Sequence, residues 1–201
     1  GKAAHVADKE YKGLNALDSL VDFYKRLKEL EETFDKPHLL GCIITEGGTA
    51  PNIVSDRATL KATVRALDTD YLENVMLPQI KSLAAEVAKD HHTPVETEHY
   101  EPLYKNMINN AALNVYFIEA FNALHEEFGV YEEEDAEGST DVGNVSHVTR
   151  AAQPEIAIGY HINAHTPEFA TAANSDFAYI QALTGAKAMV AVAAEVLFEK
   201  R

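Results

Sequence analysis

Thr59-Leu-Lys-Ala-Thr-Val-Arg-Ala66, followed by Leu67-Asp68-Thr69, decides how the first half of this 201-residue chain is read. Leu60, Ala62, Val64 and Ala66 alternate with Thr59, Lys61, Thr63 and Arg65. Successive side chains of a strand point to opposite faces, so this period of two predicts a half-buried β-strand. Asp68 or Thr69 then stands where an oxygen caps the first free N–H groups of a helix, predicted over residues 71–89. Pro78 either kinks that helix or marks its start after a short first turn. Upstream, residues 38–44 are apolar and β-branched toward their end, a strand broken by Gly47-Gly48. Between residues 14 and 30, Leu17, Leu20, Val21, Tyr24, Leu27 and Leu30 recur at three and four, the stripe of a helix that starts at Gly13 or Asn15. Downstream, residues 95–100 read as a last, more polar strand after the Thr93-Pro94 turn.

The order helix, strand, strand, helix, strand is one strand short of a βαββαβ layer, with helices on one face of an antiparallel sheet. A strand ending near Gly1-Lys2, lying largely ahead of the chain, completes that layer. Without it a row of backbone groups goes unpaired. The second half reads as a loop over 102–110, a helix over 111–128, an acidic turn over 131–138, a segment over 142–148, and a short strand over 155–158 in a mostly parallel sheet. A final helix, capped by Thr171 or Asn174, runs to about Glu199. One strand among helices does not close an α/β core. Together with a start at Gly1 rather than Met, this predicts a piece of a larger enzyme. The alternative is that the lone strand packs on the first-half sheet as one α+β unit.

Lys plus Arg number 17 against 32 Asp plus Glu, a net charge of -15. That balance argues against binding nucleic acid or an anionic membrane surface. Cys42 is the only cysteine, so no internal disulfide forms, and its setting in LLGCII predicts a small core residue. The longest apolar run, 186–197, is too short and Ala-rich for a membrane span. Cytoplasm is the default expectation.

Asp141, His147, His161 and His165 surround the apolar run 156–158. Ionisable groups at the end of a buried strand mark a candidate site. Neutral imidazole is a good zinc or manganese ligand. The spacing of His161 and His165 suits one helix face, but Asn163 and Pro167 favour a loop. Residue by residue, plainer readings stand beside this. His165 and His5 are then hydrogen-bonded loop and strand-end histidines, Asn52 is a turn cap, and Arg65 is a solvated strand residue, though its planar guanidinium suits a carboxylate. Residues 138–141 offer two hydroxyls, Ser139 and Thr140, and the Asp141 carboxylate, enough to cap the next helix.

Six pieces of sequence, G1-K-A-A-H-V-A, G13-L-N-A-L-D, G47-G-T-A-P-N-I-V-S-D, V64-R-A, G138-S-T-D-V-G-N-V-S and I158-G-Y-H-I-N-A-H-T-P-E-F, carry a likeness in order and spacing along essentially the whole chain. On them the chain resembles the M20 family of metallo-amidohydrolases and metallopeptidases, in particular its aminobenzoyl-glutamate-hydrolase and aminoacylase-like branch. The resemblance implies the α/β class, with an α+β lid of βαββαβ type inserted in a doubly wound catalytic domain that is incomplete here. Residues 1–102 are then the lid and dimerisation domain, and 103–201 the C-terminal part of the catalytic domain. It implies His165 as a metal ligand and His5 and Asn52 as catalytic groups at the substrate carbonyl. Arg65, Ser139 and Thr140 become substrate-binding. His161 lies behind the ligand or on the surface, Asp141 is a cap or internal salt bridge, and neither Glu46 nor Glu168 is the general base. His147 departs from the pattern. Two zinc or manganese ions, an amide or peptide substrate and a homodimer through the lid complete the expectation. The fragment alone is expected to be inactive. The rivals are a homodimerising or regulatory binding module and another enzyme class, such as a transferase.

Overall fold

Asn15 opens the first helix, its side-chain oxygen accepting the Leu17 N–H at 3.0 Å, and α1 runs Ala16–Glu31. The structure is a computed structural model that describes residues 1–127, 129 and 138–198. The acidic stretch 131–137 and the expected helix ends at Phe128 and Glu199 lie outside the described residues. The chain divides into two compact units, Gly1–Asn106 and Met107–Arg201.

In the first unit, β1 (His38–Glu46) and β2 (Thr59–Ala66) pair antiparallel, Leu40 opposite Val64, with an irregularity between Ile44 and Glu46. Asp68 caps α2 (Thr69–Tyr71) by accepting the Tyr71 N–H at 3.1 Å. The helix continues through a π-helical turn, Leu72–Met76, into α3 (Leu77–Asp90). Pro78 explains that turn. An α-turn would press its ring on the carbonyl of Asn74 and demand an N–H it lacks. The wider turn, in which the Leu77 N–H reaches back to the Leu72 carbonyl, relieves this without breaking the helix. Met76, Leu72, Tyr71 and Phe34 form the buried centre, with Leu30, Val64, Ala66 and Ile80 packed around it.

The end of α3 closes on a left-handed histidine. His92 has φ of 55°, its N–H bonds the Lys89 carbonyl, and the Thr93 N–H reaches the Ala88 carbonyl. Glycine is the usual residue at this helix-ending position, because a Cβ is strained there. His125 ends a helix of the second unit in the same way, with φ of 58°. His92→Gly is therefore expected to raise stability by about 0.5–1 kcal/mol, read from the urea midpoint. A lower midpoint would mean that the imidazole makes contacts worth more than the backbone strain.

Lys36 and the Tyr71 N–H hold the Asp68 carboxyl below the usual carboxylate range, Lys36 contributing most. A carboxyl held low in the fold adds stability above its unfolded value of about 4, and that stability is lost as pH falls through the lower folded value. Asp68→Asn keeps the cap but removes the charge. The drop in urea midpoint between pH 7 and about pH 3 should be smaller in the variant than in the natural chain. Equal drops would remove Asp68 from the acid response.

Residues 95–100 form no strand, contrary to expectation. They meet β2 through the Tyr100 side chain, whose hydroxyl donates to the Ala62 carbonyl at 3.4 Å and lies 3.3 Å from Thr63 Oγ1. Glu96, Glu98 and His99 leave this Pro-preceded segment without an apolar face to bury. The sheet is two-stranded among the described residues. The N-terminal segment touches its neighbours only as isolated bridges, Lys2 with Leu14 and His5 with Ile53. Mixed helices beside a small antiparallel sheet keep the first unit in the α/β class.

In the second unit, Asn110 caps α4 (Ala111–Ala123), accepting the Leu113 N–H at 3.1 Å. Then come α5 (Val142–Ser146), α6 (Pro167–Ala173) and α7 (Asp176–Phe198). Ala120 and Phe121 of α4 pack on Ala188 and Val192 of α7. Ser175 opens α7 by accepting the Ala178 N–H, not Thr171 or Asn174 as expected. Thr171 lies inside α6 and donates to the Pro167 carbonyl, while Asn174 accepts from the Tyr179 hydroxyl. Residues 155–158 form no strand either, because no second strand exists among the described residues of this unit to pair with. Ile156 instead presses its Cδ1 against Gly185 of α7, where a Cβ would collide with it. α7 has 23 residues and outruns the apolar stretch 186–197. By length and composition alone it is long and apolar enough to cross a bilayer.

Candidate functional site

Two separate pieces of the first unit, residues 13–14 and 52–54, converge on its N-terminal segment. Lys2 exchanges both backbone bonds with Leu14, at 2.8 and 2.9 Å. On the segment's other side the Val54 N–H donates to the Ala4 carbonyl at 2.8 Å, and the Val6 N–H to the Asn52 carbonyl at 3.0 Å. The approach depends on Gly13, where a Cβ would stand 2.7 Å from the Lys2 carbonyl oxygen and 2.8 Å from the Val54 Cβ. A tight turn presents Asn52: the Ile53 N–H closes on the Ala50 carbonyl at 3.1 Å, with Pro51 presetting the turn. Gly48, with φ of 118°, lets the chain pass Ser55 in a backbone conformation that other residues rarely adopt.

His5 and Asn52 are thereby brought side by side. The Ala7 N–H donates to His5 Nδ1 at 3.1 Å. A backbone N–H can only donate, so Nδ1 is the acceptor and the neutral ring carries its proton on Nε2. The side chain is exposed, which leaves that Nε2–H able to donate to an incoming oxygen. Next to it, the Asp8 carboxyl accepts the Tyr11 and Glu10 N–H groups, which hold it below the usual range. Arg65 does not join this cluster. It lies on β2 opposite Leu39, six residues beyond Thr59, about 20 Å along the strand.

The second unit holds the remaining candidates. Thr140 Oγ1 accepts the Val142 N–H at 3.3 Å, and its carbonyl accepts that of Gly143 at 3.1 Å, so Thr140 shapes the entry to α5 while Ser139 is exposed beside it. Asp141 was expected as a cap or internal salt bridge. It occupies the capping position with a helical backbone, and its side chain makes no capping bond. His161 and His165 lie in a loop, as Asn163 and Pro167 require. Both are left-handed, at φ of 58° and 62°. A non-glycine residue in that region costs of order 1 kcal/mol or more, so the loop is held against its own preference. His165 is exposed and immediately precedes Thr166, the cap of α6. Among the described residues neither Ser139 nor Thr140 hydrogen-bonds its imidazole. His147 ends α5, Glu46 is taken by Arg57 at 3.1 Å and Thr59 at 3.0 Å, and Glu168 sits in the first turn of α6.

Among the described residues no three His, Cys, Asp or Glu side chains converge to hold a metal ion. One exposed imidazole is a partial donor set, against the three or four protein ligands such a site needs. These residues therefore do not by themselves fit a zinc or manganese centre. Sequence reasoning missed the Ala7 N–H, which sets the His5 tautomer. Any residue but proline supplies that group, so nothing in the spelling marks it.

Residues 1–93 match the M20 peptidase dimerisation domain. The chain is similar to the Xaa-Arg dipeptidase of Mus musculus, 33% identical over 206 residues that cover 99% of this chain and 46% of that protein. It is likewise similar to the Xaa-Arg dipeptidase of Homo sapiens, 31% identical over 202 residues, with 99% of this chain and 46% of that protein covered. The chain thus spans about half the length of these relatives.

Proposed function

We propose that the whole protein is a metal-dependent hydrolase. It cleaves the amide bond of a small peptide, an N-acyl amino acid or an aminobenzoyl-glutamate-like compound. The observation that carries this is the His5 Nε2–H, fixed as a donor and exposed beside Asn52, in a chain similar to dipeptidases along 99% of its length. An amide carbonyl gains negative charge on its oxygen as water adds. A preset N–H aimed at that oxygen binds the developing charge more tightly than the ground state. Asn52 orients the same carbonyl, while Arg65, Ser139 and Thr140 are assigned to substrate binding by the family resemblance alone. His165 supplies one imidazole to a divalent-ion site that other residues complete. The net charge of -15 favours the approach of a cationic substrate, so dipeptides ending in arginine, which the relatives' name describes, are the first to test. The acting form is a homodimer through residues 1–93, and the cytoplasm is its place.

The test is hydrolysis of an Xaa-Arg dipeptide, an N-acyl amino acid and aminobenzoyl-glutamate by the whole protein, before and after chelation. Activity lost to chelator and restored by zinc or manganese supports the reading. Hydrolysis indifferent to chelator, or none on any of the three, sinks it. A second reading applies to residues 1–201 alone: a homodimerising module without activity, favoured by the incomplete donor set. A metal-free dimer in solution supports it.

A further inference from the structure

Residues 5–12 are all exposed, so no burial holds the loop that carries His5. Its first turn closes where the Asp8 N–H donates to the His5 carbonyl at 2.9 Å. Val6 and Ala7 form the centre of that turn, and neither is a residue type that favours one. The turn is therefore imposed from its two ends. At the first, the Val6 N–H bonds the Asn52 carbonyl at 3.0 Å. At the second, Asp8 Oδ1 accepts the Glu10 N–H at 2.9 Å and the Tyr11 N–H at 3.0 Å. These two bonds hold the carboxyl below its usual range, so it is ionised at neutral pH, and bonds to an ionised acceptor are the strong ones. Among the described residues the backbone of residues 9–12 makes no other hydrogen bond. The same grip sets Tyr11 under Lys2, whose Nζ stands 4.1 Å from the ring centroid. Lys2 is itself fixed by its paired backbone bonds to Leu14, so the loop closes on a firm base.

We propose that Asp8 is a positioning residue for His5. It fixes the far end of the turn from His5 to Asp8, and that turn keeps the Ala7 N–H on His5 Nδ1 at 3.1 Å. The ring proton then stays on Nε2, in one orientation. This rests on the hydrolase reading above and adds to it a residue that acts only through the imidazole. The physical need is plain: a donor on a loop without burial is free to turn, and a displacement of about 1 Å at a reacting group can cost about 10²-fold in rate.

Steady-state kinetics of the whole protein, on whichever of the three amides it hydrolyses, tests it together with ring-nitrogen NMR of the 201-residue chain. Asp8→Ala should lower kcat roughly 10–10²-fold, with KM and the urea midpoint little changed. Asp8→Asn, whose amide oxygen accepts the same two N–H groups, should recover most of the rate. In a His5→Ala background, Asp8→Ala should cost nothing further, because its effect passes through the imidazole. At alkaline pH, where the ring is neutral, the natural chain should show the protonated nitrogen shift on Nε2 and the bare one on Nδ1. In Asp8→Ala the two shifts should approach each other as the tautomers mix. An unchanged kcat in Asp8→Ala, an equal further loss without His5, an Asp8→Asn variant as slow as Asp8→Ala, or ring shifts that do not move each overturn the positioning role and leave the hydrolase reading standing. No hydrolysis of any of the three amides by the natural protein overturns both.

Discussion

With His5 replaced by alanine, the whole protein should turn over its amide substrate about 10²–10³-fold more slowly with KM little changed. The donor acts on charge that develops in the transition state, so its loss falls on kcat. His5 is exposed and makes one local bond, to the Ala7 N–H. Stability should therefore hardly move, which separates a chemical role from a structural one. His5→Gln, which keeps a side-chain N–H, should recover part of the rate. Steady-state kinetics on the three proteins decide it, and an unchanged kcat in His5→Ala would remove the histidine from the reaction.

Met76→Ala should cost about 2–5 kcal/mol, the largest effect expected for a single side chain in the first unit. Met76 is 0% exposed and sits among Phe34, Tyr71 and Leu72. Truncation removes its transfer energy and leaves a void that the π-helical turn around it cannot readily close. Met76→Leu, close in volume, should cost less than about 1.5 kcal/mol. The urea midpoint of the first unit should fall by about 1–2 M for the alanine variant. Similar midpoints for both variants would mean that the site collapses freely and that Met76 is not central.

Much of the first unit was legible in its residues. Asn15 and Asp68 declare helix starts because a short side-chain oxygen is the cheapest partner for a free N–H. The alternation from Thr59 to Ala66 declares a strand because one face is half-buried and the other exposed. Residues 95–100 and 155–158 misled for one shared reason. A strand is a pairing, and neither segment carries its partner in its own spelling. The helix through Pro78 was legible only as a disturbance, since widening the turn is a response of the whole helix. The start of α7 also escaped: Thr171, Asn174 and Ser175 are equally good caps by type, and the helix α6 occupies the first two.

At the candidate site, residue type alone left His5 a strand-end histidine and Asn52 a turn cap, and only the likeness to a known family singled them out. Which of them meet was decided in space. Backbone bonds from Val6 to Asn52 and from Val54 to Ala4 join positions nearly fifty residues apart, and backbone bonding leaves almost no signature in sequence. The same holds for the proton on His5 Nε2, settled by one amide two residues away. Composition and periodicity determined which segments are helix or strand and which side chains can act. Tertiary structure decided the neighbours, because every residue but proline offers the same backbone donor and only folding selects which acceptor it reaches.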